Sequence, residues 1–123
     1  MNALWVFVGG GIGALSRYLV SVAAARLWGA GFPFGTLIAN LVGLFLIGLF
    51  FGLAERSSLL GFSARLFFVI GFLGGLTTFS SFGWETVKLA GDGLWGLALV
   101  NILLNNLVGL GLVLVGMWLG KSL

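Results

Sequence analysis

The sequence predicts an all-α membrane protein with four transmembrane helices in each subunit. Of its 123 residues, 60% are hydrophobic and only 7% are charged, whereas a soluble domain carries about 25% charged residues. The mean hydropathy is +1.21. Because one spanning helix needs about 20 apolar residues, the chain has room for four spans joined by short loops. We expect a single integral membrane domain, 1–123, with spans at about 4–28, 35–54, 66–90 and 95–120.

The composition also excludes several classes of function. The chain has no cysteine and no histidine, so disulfides, thiol chemistry and imidazole ligands are excluded. Its net charge of +3 is spread singly along the chain, without the basic run that would bind nucleic acid. The first residues lack a positively charged region, so we expect a retained first span and not a cleaved signal peptide. Nothing in the composition indicates an enzyme.

The first span is expected to have Trp5 and Trp28 at its ends as interfacial anchors. Gly9 and Gly13 lie four residues apart, which favours close approach of another helix backbone. Arg17 lies near the middle of the span, where an arginine costs about 3 kcal/mol or more unless it faces a cavity or a partner. We therefore expect Arg17 to face a vestibule. The alternatives are that it reaches a lipid head group or that the span begins later.

The second span has one strongly polar residue in its interior, Asn40, on the same helix face as Thr36 and Gly43. A lone amide in a membrane helix often bonds only to a neighbouring helix. In a pore, the same amide offers two N–H donors to an anion. The residue alone leaves these two interpretations open.

The third span contains the stretch 71–85, around which we expect the protein to be organised. Its centre is Gly-Gly-Leu-Thr-Thr, at 74–78, where glycines weaken a helix and hydroxyls compete for backbone hydrogen bonds. This pattern predicts a helix broken at mid-membrane, a feature that marks ion or substrate sites. The alternative is a kink that serves only the packing of a neighbouring helix.

Two phenylalanines directly after the expected break share one helix face, because they lie three residues apart. Aromatic rings in membrane helices usually only pack or face lipid, but here two hydroxyl residues lie between them, which favours a pore lining. The four residues are Phe79, Ser80, Ser81 and Phe82. Glu85 continues roughly along that face near the membrane boundary, and its role stays open.

The fourth span is bracketed by Trp95 and Trp118. Three amides in one span are costly unless they meet partners across a helix interface or water. They are Asn101, Asn105 and Asn106, and their roles stay unassigned. A second surface for close helix packing is expected at Gly109, Gly116 and Gly120.

The basic residues are balanced across the predicted topology. One side of the membrane would have Arg56, Arg65 and Lys121, and the other Arg26 and Lys88. A difference of one charge is too small to fix orientation firmly. The protein is therefore expected to insert both ways, so that two copies can meet as an antiparallel pair.

Three motifs, one in each of the first three spans, identify a family. They are Gly-Gly-Ile-Gly-Ala-Leu-Ser-Arg-Tyr at 10–18, Gly-Thr-Leu-Ile-Ala-Asn-Leu-Val-Gly at 35–43, and Gly-Phe-Leu-Gly-Gly-Leu-Thr-Thr-Phe-Ser-Ser-Phe at 71–82. The chain resembles the small bacterial fluoride channels of the Fluc/CrcB family over essentially its whole length. The family usually has threonine in place of Ser81, a departure that keeps a hydroxyl.

The resemblance implies a dual-topology homodimer in the bacterial cytoplasmic (inner) membrane, with two narrow pores that pass fluoride down its gradient and confer fluoride resistance. It further implies a structural sodium ion at the dimer centre, held by backbone carbonyls that correspond to Gly74 and Thr77. By the same resemblance, Phe79 and Phe82 line the fluoride path, and Asn40 is the pore amide. Whether the partner is a second copy or a paralogous chain stays open.

The chemistry of the residues agrees with this resemblance. Fluoride is small and strongly hydrated, so a dry pore must replace its water with donors, which Asn40, Ser80 and Ser81 offer. The positive edges of phenylalanine rings are weak ligands, and weak ligands let an ion leave. Arg17 would raise the local anion concentration at a vestibule.

The alternative function is a small proton-coupled multidrug exporter with four helices. Such an exporter needs a carboxylate in mid-membrane to exchange protons for a cationic substrate. The acids of this chain, Glu55, Glu85 and Asp92, all fall near the predicted span boundaries. A subunit that only assembles with others would leave the broken third span and the buried amides without a purpose.

Overall fold

The computed structural model describes residues 1–58 and 60–123. In this part of the chain, four helices are long and apolar enough to cross a membrane. The prediction of an all-α protein with four such helices is confirmed. We number them span 1 to span 4, and they are Asn2–Trp28, Phe34–Ala54, Phe62–Gly91 and Trp95–Ser122.

Spans 3 and 4 are not uniform α-helices. Span 3 consists of Phe62–Arg65, a π-helical stretch Leu66–Leu73, a short turn Gly74–Leu76 and the helix Phe79–Gly91. Span 4 consists of Trp95–Leu103, a π-helical turn Leu104–Val108 and Gly109–Ser122. A π-helical turn changes the rotation of the residues that follow it, and such turns frequently occur at functional sites.

Span 3 begins earlier than the sequence predicts. The expected start is about residue 66, whereas the helix begins at Phe62. The guanidinium carbon of Arg65 lies 5.4 Å from the ring centroid of Phe51 in span 2. A cation over an aromatic face is electrostatically favourable, so the charge is accommodated inside the helix and does not end it.

The four spans pack in two close pairs through glycine surfaces. Span 1 packs against the first half of span 3, and span 2 packs against the second half of span 4. A Cβ atom at Gly13 would overlap the carbonyl oxygen of Phe72, and one at Gly116 would overlap that of Phe45. The predicted roles of these glycines in close packing are therefore confirmed. Backbones that approach this closely gain dispersion contacts in the absence of a hydrophobic driving force between membrane helices.

Replacement of Gly13 by alanine is expected to destabilise the protein by about 1–3 kcal/mol, because the added methyl group overpacks the contact with span 3. The measurement is thermal unfolding of the purified protein in detergent. Gly11→Ala is the matched control, because no atom of the other described helices lies within 4 Å of the Cβ position at Gly11. Equal melting temperatures for the two variants would contradict this packing.

The small buried core lies next to the point where span 3 leaves the helical conformation. It consists of Ala39 from span 2 with Leu73 and Leu76 from span 3. Most large apolar side chains point outward, among them Phe7, Leu19 and Trp84. A lipid-facing surface requires this distribution, since the bilayer is as apolar as leucine itself.

Candidate ion site at the helix interruption

The helical conformation of span 3 is interrupted at two threonines. Thr77 has φ −84° and ψ 154°, Thr78 has φ −150° and ψ 118°, and the helix resumes at Phe79. The Thr77 hydroxyl donates to the Leu73 carbonyl at 2.8 Å. The Thr78 hydroxyl accepts the Ser81 N–H at 3.1 Å and so caps the N-terminus of the helix Phe79–Gly91. The predicted motif also included Gly74 and Gly75, which remain in a helical turn.

Asn40 of span 2 replaces the backbone partners that Thr78 has lost. The Thr78 N–H donates to Oδ1 of Asn40 at 2.8 Å, and Nδ2 of Asn40 donates to the Thr78 carbonyl at 3.1 Å. The amide therefore pairs with both backbone groups of one extended residue. Because unsatisfied backbone costs several kcal/mol in hydrocarbon, this pair stabilises the extended conformation.

The remaining hydrogen of the Asn40 amide also has an acceptor within the chain. Nδ2 of Asn40 lies 2.9 Å from Oδ1 of Asn105 in span 4. The sequence leaves two interpretations of Asn40 open, and the structure shows the hydrogen bond to a neighbouring helix. Donation from Asn40 to an anion stays a prediction.

Arg17 lies beside the interruption and is half-buried. Its Nε donates to the carbonyl of Gly75 at 3.1 Å. Because Phe79 begins a new helix, this carbonyl belongs to the last turn before the interruption. Arg17 therefore has a partner inside the protein, as an arginine in the middle of a span requires, and its exposure to a vestibule stays a prediction.

The amides of span 4 connect this site to the second half of span 3. Nδ2 of Asn105 donates to Oδ1 of Asn101 at 3.0 Å, and Nδ2 of Asn101 donates to the Thr86 hydroxyl at 2.9 Å. The Thr86 hydroxyl donates to the Phe82 carbonyl at 2.7 Å. The sequence singles out the two asparagines but not Thr86. Its position four residues after Phe82 was the available signal.

Asn106 does not take part in this connection. It is exposed, and its Nδ2 donates to the carbonyl of Ile102 in its own helix at 2.8 Å. Asn101 and Asn105 therefore bond to residues of other spans, whereas Asn106 bonds within its own helix.

The two predicted pore phenylalanines form a ring pair. The centroids of Phe79 and Phe82 are 5.6 Å apart with an interplanar angle of 48°. Phe79 is 81% exposed, whereas Phe82 is only 8% exposed. The Ser80 hydroxyl lies 3.2 Å from the Thr78 hydroxyl. Ser81 is partly buried.

An open cavity of about 360 Å³ brings most of the predicted site residues together. Five of them line it: Asn40, Gly74, Thr77, Phe79 and Phe82. The cavity lining does not include Arg17, Ser80 or Ser81.

The carbonyl groups at the interruption suit a hard cation. The N–H of Thr78 would bond to the Gly74 carbonyl in a continuous helix, but it donates to Asn40 instead. Gly74 is exposed, and both Gly74 and Thr77 line the cavity. Within residues 1–58 and 60–123, no cluster of three or more acidic, histidine or cysteine side chains could hold a metal. Backbone carbonyl oxygens are ligands of the hard type, which a hard cation prefers.

The acidic residues lie away from the interruption. Glu85 accepts a hydrogen bond from the Thr36 hydroxyl at 2.6 Å. Asp92 pairs with Lys88, and Glu55 pairs with Lys121, both at 3.2 Å. Both ion pairs are exposed and lie at the ends of spans.

Four apolar helices, an interrupted span 3 and buried amides facing that interruption define a small multi-pass membrane protein with a polar site among its helices. Residues 4–117 match the family described as "CrcB-like protein, Camphor Resistance (CrcB)". The chain belongs to this family, and it is a multi-pass bacterial membrane protein.

Three relatives share almost their full length with the chain, and each bears the name "Fluoride-specific ion channel FluC". The protein of Agrobacterium fabrum is 46% identical over 123 residues, which cover 100% of this chain and 98% of the relative. That of Legionella pneumophila (strain Lens) is 44% identical over 118 residues, covering 96% and 88%. That of Clostridium perfringens (strain 13) is 43% identical over 121 residues, covering 98% and 94%.

Proposed function

We propose that the protein is a fluoride-selective channel that passes fluoride passively across the cytoplasmic membrane and so lowers its concentration in the cell. The observation that carries this proposal is the Phe79–Phe82 ring pair on the cavity beside the interruption, in a chain whose relatives are named fluoride channels. In this proposal the interruption of span 3 lies at mid-membrane.

The ring pair suits an anion that must both bind and leave. Phenylalanine edges carry partial positive charge and make almost no hydrogen bonds, so they favour fluoride without holding it tightly. Ser80 and Ser81 add hydroxyl donors at the start of the helix Phe79–Gly91. The N-terminus of that helix also has a positive dipole end, which favours an anion.

The experiment is fluoride efflux from liposomes that contain only this purified chain, followed with a fluoride electrode. We expect rapid efflux that depends on the fluoride gradient and needs no proton gradient. Efflux of a cationic dye driven by a proton gradient, without fluoride efflux, would support the exporter instead. Glu55 and Asp92 are exposed at span ends and paired with lysines, and the half-buried Glu85 accepts from Thr36 outside the cavity lining, so none of these acids lies at the proposed ion site.

The working unit that we propose is an antiparallel homodimer with two pores. Phe79 is exposed in the single chain, and the cavity beside it is open, so a second copy would enclose both.

Two lysines added at the N-terminus are expected to bias orientation and lower fluoride efflux, because orientation follows the balance of basic residues. Co-expression with an oppositely biased copy should restore efflux. Cysteine labelling from one face that finds every native copy in a single orientation would contradict dual topology.

A structural sodium ion between the two copies is the remaining part of the proposal. The carbonyls of Gly74 and Thr77 would hold it, and its charge would offset the carbonyl dipoles that repel an anion. Exhaustive replacement of sodium by a large organic cation is expected to lower both the thermal stability of the dimer and fluoride efflux. Undiminished stability and efflux in the absence of sodium would remove the ion from the proposal.

A further inference from the structure

A directed chain of side-chain hydrogen bonds joins the helix interruption to the ring pair. It starts at the backbone of Thr78, passes through spans 2 and 4, and returns to span 3 at the carbonyl of Phe82. We call its side chains the amide relay, and they are, in order, Asn40, Asn105, Asn101 and Thr86.

The direction of the relay is fixed at its first member. The Thr78 N–H can only donate, so it requires Oδ1 of Asn40 and turns Nδ2 of Asn40 toward Asn105. Asn105 must then present its own Oδ1 and direct its Nδ2 to Asn101. A flip of any one amide would place two acceptors or two donors against each other, so each member sets the orientation of the next.

The end of the relay is fixed in the same way. The Thr86 hydroxyl accepts from Nδ2 of Asn101 and has one hydrogen, which it donates to the Phe82 carbonyl. That carbonyl lies in the first turns of the helix Phe79–Gly91, which carries both rings. The relay therefore connects the interruption and the rings by a route through two other spans.

Three of the four side chains of the relay are buried. Asn101 is 1% exposed, and Asn40 and Asn105 are each 8% exposed. Every buried side-chain nitrogen and oxygen has a partner in the described residues 1–58 and 60–123. Loss of one partner would leave a buried polar group that costs about 1–3 kcal/mol. The π-helical turn Leu104–Val108 contains Asn105, and π-helical turns frequently occur at functional sites.

We propose that Asn105, Asn101 and Thr86 are positioning residues for fluoride passage: they hold the Asn40 amide on Thr78 and the ring pair in one fixed arrangement. This inference rests on the proposed fluoride channel. Asn101 and Thr86 are not part of the cavity lining, whereas Asn105 is, so the experiment is made at the first two residues. Their effect passes through Asn40 and through the Phe82 carbonyl.

The experiment replaces the member that is farthest from Asn40. Thr86→Val has nearly the same shape but neither accepts from Asn101 nor donates to Phe82, whereas Thr86→Ser keeps both bonds. The double variant Asn101→Leu with Thr86→Val removes both partners together, and replacing both partners by apolar groups is close to neutral for stability. In that variant Asn105 still has the Asn101 backbone carbonyl as an acceptor, at 2.9 Å.

Two measurements follow for each variant, the side-chain amide resonances of Asn40 in protein labelled with ¹⁵N-asparagine and fluoride efflux from liposomes. In Thr86→Val and in the double variant we expect shifted Asn40 resonances and about tenfold lower efflux, the effect of about one hydrogen bond. The melting temperature of the double variant should stay near native. Thr86→Ser should keep the native Asn40 resonances and native fluoride efflux.

Unshifted Asn40 resonances in both valine-containing variants would overturn the relay. Shifted resonances with native efflux would overturn its positioning role. A fall in efflux that only parallels a fall in melting temperature, in every variant, would also overturn that role. Absence of fluoride efflux from the unmodified protein would instead overturn the proposed function, and the Asn40 resonances would still test the relay on their own.

Discussion

Replacement of Phe82 or Phe79 by isoleucine is expected to lower fluoride efflux about two- to tenfold while the protein still folds and assembles. Isoleucine keeps apolar bulk but lacks the electropositive ring edge; contacts of a ring edge with another ring are worth about 0.5–1.5 kcal/mol, and we expect an effect of that size. An apolar substitution of similar volume usually costs under about 1.5 kcal/mol of stability. Liposome efflux and size-exclusion chromatography of the same preparations measure the two effects separately.

Phe7→Ile is the matched control for the ring substitutions, because Phe7 is an exposed ring of span 1 outside the lining of the cavity. We expect native efflux from this variant. A folded, assembled Phe79→Ile or Phe82→Ile protein with native fluoride efflux would remove that ring from the pore. Loss of assembly together with efflux would indicate a packing role for the ring instead.

Replacement of Asn40 by aspartate is expected to abolish fluoride efflux and to lower the free energy of unfolding by about 2–6 kcal/mol. The carboxylate still accepts the Thr78 N–H, but it cannot donate to the Thr78 carbonyl or to Oδ1 of Asn105. The Thr78 carbonyl and Oδ1 of Asn105 would then face a negative charge without a donor. Each lost donor costs about 1–3 kcal/mol of stability. The charge would also lie on the cavity that we assign to an anion.

Asn106→Asp is the matched control for stability. It makes the same chemical change in an exposed amide that has only a local bond to Ile102, so its effect on thermal unfolding should be about 1 kcal/mol or less. Similar melting temperatures for Asn40→Asp and Asn106→Asp would contradict the pairing between Asn40 and Thr78.

The sequence predicts well those features that depend on one helix at a time. The number of spans follows from composition, and Gly9 and Gly13 were correctly assigned to close packing because four-residue spacing places them on one face. The position of Asn40 on the face of Thr36 was likewise readable from spacing alone.

The partners of those residues could not be predicted, because they depend on how neighbouring spans are rotated. Asn105 lies in the π-helical turn Leu104–Val108, and the sequence of this turn has no breaker that marks it. Thr86 was not predicted, because a threonine hydroxyl can bond to a carbonyl of its own helix and then leaves no unsatisfied polar group in the membrane. Gly75 was assigned to the break, whereas its contact is with span 1, where an added Cβ would overlap the Gly10 carbonyl.

The hydrogen bond between Arg17 and Gly75 has a consequence for biogenesis. The two residues are 58 positions apart in the chain, and a ribosome adds about 5–20 residues per second. Span 1 is therefore made several seconds before the carbonyl that satisfies its arginine exists. During that interval the arginine carries the insertion penalty of about 3 kcal/mol without its partner. Span 1 therefore depends on span 3, which is made later, for the hydrogen-bond partner of its arginine.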